Sequence, residues 1–63
     1  MHHFSQGNIF TNGKNNFVLL YIIRLGMNAV RVELKNALTN HIYEKTIEEF
    51  TQALNENKLW KVH

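Results

Sequence analysis

Gly and Asn recur in clusters along this 63-residue chain, and there is no Pro to share the work of turning it. The clusters fall at Gly7-Asn8, at residues 12–16, at Gly26-Met27-Asn28 and at residues 36–40. Turns spaced by about ten residues leave room for short antiparallel strands and little else between them. Strands are therefore expected at residues 8–11, 17–25, 29–35 and 40–44. The third has the clearest pattern: Val30, Val32 and Leu34 alternate with Arg31, Glu33 and Lys35, the period of two of a half-buried strand. Gly26-Met27 suits a two-residue hairpin loop with Gly at its first position.

The pattern then changes. Thr46-Ile47-Glu48-Glu49 has the form of a capping box, in which a Thr hydroxyl accepts from the third helical amide and a Glu reaches back. A helix is expected to start at Thr46, with Ile47, Phe50, Ala53 and Leu54 on one face and Glu48, Glu49, Gln52 and Glu56 on the other. Asn55 and Asn57 should end it. The apolar tail Leu59-Trp60-Lys61-Val62 then either returns as a last strand or tucks under the sheet. The fold class that results is α+β: a small antiparallel sheet or small barrel of four to five strands with one C-terminal helix, all in a single domain, 1–63.

Strict alternation through the hairpin would put Phe17, Leu19, Tyr21, Ile23 and Leu25 on one face with Val30, Val32 and Leu34. Val18, Leu20 and Ile22 would then lie on the other face, beside Arg31, Glu33 and Lys35. A face that keeps three aliphatic side chains needs a cover. Closure into a barrel, the helix or tail, or another protein copy or partner could each supply one. Val18, Leu20 and Ile22 are thus the candidate partner-binding residues, together with Trp60, the single Trp, whose ring suits either core closure or an interface anchor. A chain of this length buries a modest fraction of its surface and has no Cys to form a disulfide, which also points to a protein partner or a homodimer.

The chemical inventory excludes more than it suggests. Ser5 is the single Ser, Asp is absent, and four of the five Glu lie in or beside the helix, so neither a nucleophile triad nor paired carboxylates can be assembled convincingly. No catalytic residue, cofactor or small-molecule substrate is expected. His2-His3, His41 and His63 lack metal-ligand spacing, and no metal site is expected. No Gly precedes the helix in a phosphate-cradling arrangement. The apolar run at residues 17–23 is too short to span a membrane, and the N-terminus has no secretory pattern, so the expectation is a soluble, cytoplasmic protein without membrane contact. The formal charge of +2 is small. Nucleic acid remains an alternative partner through a basic stripe of Arg24, Arg31 and Lys35, with Lys14 nearby, although Phe17 and Tyr21 would sit on the opposite face from that stripe.

The segments Gly7-Asn8-Ile9-Phe10, Phe17-Val18-Leu19-Leu20, Val30-Arg31-Val32-Glu33-Leu34 and Thr46-Ile47-Glu48-Glu49-Phe50 together resemble small SH3-like barrel proteins encoded by phages and prophages. Asn8 stands where such sequences often place an acidic residue. The resemblance implies a compact barrel used for docking, since such barrels usually bind peptides, proteins or nucleic acids and seldom catalyse. Fold analogy of this kind names no partner. The function expected is a non-catalytic protein-binding module that acts by occupying a surface of a host protein.

Overall fold

The structure, a computed structural model, describes residues 3–62. Five strands, β1 (Ile9–Thr11), β2 (Asn16–Leu25), β3 (Asn28–Asn36), β4 (Ile42–Thr46) and β5 (Trp60–Lys61), form one antiparallel sheet, with helix α1 (Ile47–Asn55) between β4 and β5. The strand order is β4-β3-β2-β1-β5, so the chain meanders through four strands and returns to the free side of β1. Among the described residues β4 and β5 are the two edges and do not pair. The sheet is open rather than a closed barrel.

The turns are built by the residues that mark them in the sequence. Asn12 Oδ1 accepts from the amides of Lys14 (2.9 Å) and Asn15 (2.7 Å), and Gly13 takes φ +94° between β1 and β2. In the β2–β3 hairpin only Gly26 has positive φ (63°), which matches a type II′ turn with Gly first. Asn36 is buried, yet its Oδ1 accepts from the amides of Leu38 (2.8 Å) and Thr39 (3.1 Å), so the β3–β4 connection carries its own internal hydrogen bonds.

Helix α1 starts as expected. Thr46 Oγ1 accepts from the Glu49 amide (3.1 Å) while Glu49 Oε1 accepts from the Thr46 amide (3.0 Å). At the other end Asn57 takes φ +58°, the Asn57 amide donates to the Leu54 carbonyl (3.2 Å) and the Lys58 amide to the Ala53 carbonyl (2.9 Å). Those two bonds are a Schellman closure, and they reverse the chain. The reversal drops Leu59 into the core and lays Trp60 beside Thr11.

The core lies between the helix and one sheet face. Phe10, Leu19, Val32, Leu34, Phe50, Leu54 and Leu59 are buried, with Phe4, Phe17, Ile22, Ile47 and Ala53 packed around them. Phe50 is edge-on to both Phe4 (centroids 5.1 Å apart) and Phe10 (5.2 Å). The plug that closes the core after the helix is Leu59, not Trp60, which stays 46% exposed.

The expected facing of the hairpin is only half correct. Phe17 opposes Asn36 and Leu19 opposes Leu34, but the register then slips, and Leu20 and Tyr21 together oppose Glu33. One extra residue in a strand exchanges the faces of everything beyond it. Ile22 thereby opposes Val32 and packs on the core, whereas Tyr21 and Ile23 turn outward with Glu33 and Arg31. A second slip, at Ile23/Arg24, pairs Arg24 with Ala29 and leaves Val30 as the extra residue. The run at residues 17–23 is apolar at every position, so its own pattern carries no phase. The choice falls to packing, which brings Ile22 beneath the helix layer.

Candidate functional surfaces

The outer sheet face, opposite the helix, follows from the register. It carries Ile42 and Glu44 of β4, Arg31, Glu33 and Lys35 of β3, Val18, Leu20, Tyr21, Ile23 and Leu25 of β2, Ile9 and Thr11 of β1, and Trp60 of β5, with Val62 just beyond. Helix α1 lies on the other side, against β3 and β4, and β5 widens the sheet instead of folding over it. Tyr21 is 57% exposed and Leu25 74% exposed, and Ile9, Ile42, Trp60 and Val62 are also exposed. Of the expected partner-binding residues, Val18, Leu20 and Trp60 are on this face and Ile22 is not. Tyr21, Ile23, Ile9 and Val62 take its place. Ile9 and Val62 belong here because β1 and β5 pair, a long-range contact with no local signature.

The β2–β3 hairpin extends this face. Strand β1 pairs with β2 only over Asn16–Val18, and β4 pairs with β3 only over Arg31–Lys35, so the tip between them projects. Ten residues at about 3.3 Å per residue give β2 a length comparable with the longest extent of the 33 × 23 × 19 Å molecule. Met27 at the turn is 95% exposed. Where the tip departs from β1, Gln6 Oε1 accepts from the Ile22 amide (3.1 Å), satisfying a backbone donor next to the slip.

The basic residues do not form one stripe. Arg24 opposes Ala29 on the Ile22 side of the hairpin, whereas Arg31 and Lys35 are on the outer face. There Glu33 stands between them, and Arg31 Nη1 is 2.7 Å from Glu44 Oε1. Cations and a carboxylate therefore alternate along β3, and Glu44 of β4, directly opposite Glu33, reaches Arg31.

A concavity opens on the helix side, in the gap between β4 and the segment leading into β5. Phe17, Leu34, Tyr43, Ala53 and Leu59 provide its apolar lining, and Asn12, Asn15, Lys45 and Lys58 its polar rim. Its volume is about 340 Å³. Tyr43 is held edge-on against Phe17 (5.8 Å) and lies against the tilted His41 ring (4.5 Å). Sequence reasoning left Tyr43 unassigned and missed Lys45, because the gap exists only through the arrangement of β4, α1 and the β1–β2 turn.

Among the described residues no group of three or more His, Asp or Glu converges on a common point. His2 and His63, considered above as metal ligands, lie outside the described residues. No helix of the described chain is long and apolar enough to cross a membrane. Comparison with protein-family models, with curated proteins and with solved structures finds no match for this chain.

Proposed function

We propose that this chain is a non-catalytic protein-binding module whose outer sheet face is its interface. The observation that carries the reading is the pairing of exposed Ile9, Tyr21, Leu25, Trp60 and Val62 with half-buried Val18, Leu20 and Ile23 on one continuous face that the helix does not cover. Large apolar faces of that kind, bordered by polar residues, mark protein contacts, and Tyr and Trp are preferred anchors in them. The border here is the row of Arg31, Glu33, Lys35 and Glu44. Its two cations and two carboxylates balance, so the row carries no net charge against a second copy of the chain.

A docking role is also what a barrel of the SH3-like kind implies. That finer reading draws support from the meander order, with β1 between β2 and β5 and the helix joining β4 to β5. Closure would require pairing between the β4 and β5 edges. The nucleic-acid alternative gains no support from the register, which separates Arg24 from Arg31 and Lys35 and interleaves the latter with Glu33.

The test is the solution mass over a concentration series, by light scattering after size exclusion, for the parent chain and for Leu20→Lys. A concentration-dependent dimer that Leu20→Lys converts to a folded monomer supports the reading in its homodimeric form. A monomeric parent whose capture of a protein is abolished by Leu20→Lys supports a heterologous partner. Unchanged mass and unchanged capture in the folded variant would remove the outer face from the argument.

A further inference from the structure

The gap between β4 and β5 has the features of a second, separate recognition site. Alternation along the β3–β4 ladder, which begins with the Asn36 amide donating to the His41 carbonyl (2.8 Å), turns the backbone groups of Tyr43 and Lys45 toward β3. The amides and carbonyls of Ile42 and Glu44 therefore point away from the sheet, along an edge that pairs with nothing among the described residues. The side chains of Tyr43 and Lys45 face the helix side and line the 340 Å³ cavity. Edge and cavity are thus adjacent. A strand added to β4 would bond to Ile42 and Glu44 and direct alternate side chains into the space lined by Phe17, Leu34 and Leu59.

Charge selects the occupant. Lys45 and Lys58 are at the cavity rim, and among the described residues no carboxylate side chain lines it. Glu56, just outside, is 3.0 Å from Lys58 and compensates one of the two cations. We propose that this gap binds an extended segment of another protein that pairs with the β4 edge, seats one aromatic or aliphatic side chain in the cavity, and carries acidic residues opposite Lys45 and Lys58. The cavity volume is within the range of sites that accept a single large side chain or small ligand, roughly 300 Å³ upward. The site does not depend on the outer face, and either can fail without the other.

Selection from a random peptide display library on the intact chain tests the proposal. The expected consensus alternates acidic and apolar residues. A labelled consensus peptide should bind about tenfold or more weakly to the Lys45→Glu, Lys58→Glu double variant, and selection on that variant should turn to basic sequences. Ile42→Pro removes an outward-facing donor while sparing the β3 ladder, and should also abolish binding. If Ile42→Pro fails to fold by circular dichroism, N-methylation of the consensus peptide at the amides that would meet β4 asks the same question. Absence of enrichment overturns the proposal. So does a consensus indifferent to the lysine reversals, or one whose binding survives both Ile42→Pro and N-methylation, since that ligand would not be pairing as a strand.

Discussion

Asn57 shows how much a single backbone conformation carries. Its φ of +58° sets the Schellman closure and so the burial of Leu59 and the pairing of Trp60 with Thr11. A left-handed residue other than Gly or Asn costs about 1–2 kcal/mol, and a β-branched one is worse placed still. Asn57→Val should therefore lower the urea midpoint by the equivalent of about 2 kcal/mol, while Asn57→Gly leaves it unchanged or raises it. An Asn57→Val chain as stable as the parent would mean that the tail reaches β1 by another route. The residue type at 57 was legible as a helix stop, but its consequence for Trp60 was not. Whether a Trp three positions on plugs the core or lies outside depends on the direction in which the chain leaves the helix.

Helix α1 was the most legible element, because all the groups of its capping box lie within four residues of sequence. Its acid sensitivity follows from the same bonds. The Thr46 amide, then its hydroxyl, hold the Glu49 carboxyl below its ordinary 4.5, and the Gln52 side chain, then Lys58, lower that of Glu56. A carboxyl lowered in the folded state contributes stability that is complete above 4.5 and is lost as pH falls through the folded value. Helical ellipticity should accordingly decrease as pH falls from 4.5 through the lowered folded-state values. Glu49→Gln should flatten that decrease. Full retention of the acid-induced loss in Glu49→Gln, read by circular dichroism, would assign it to other groups. Strand β2 is the contrary case, since its uniformly apolar run fits either face and the slip at Leu20 has no local signal.

At the scale of the whole molecule, one aromatic cluster joins the N-terminal segment, β1 and the helix. Phe50 touches both Phe4 and Phe10 and is fully buried. Truncating such a residue costs about 3–5 kcal/mol, and a domain of this length has a total stability of the same order. Phe50→Ala should be largely unfolded at room temperature by near-ultraviolet circular dichroism, while Phe50→Leu should fold with a lowered midpoint. A cooperatively folded Phe50→Ala with near-parent stability would show that the cluster is not the keystone of the core. The open sheet matters at this scale as well. With one helix and five strands, one layer can be covered, so a face and an edge are left uncovered among the described residues.

Local chemistry determined the turns, the helix and its caps, and the alternation of β3, because each depends on residues within a few positions of one another. The α+β class and the antiparallel meander followed from those signals. Tertiary structure alone decided the phase of β2, the partnership of β1 with β5 and the gap beside β4. Those features compare alternatives that are nearly equal in local energy, and long-range packing of Ile22, Leu59 and Phe50 separates them. That is why Val18 and Leu20 could be placed on the outer face from sequence, whereas Ile22 could not be kept off it and the side taken by Trp60 stayed open.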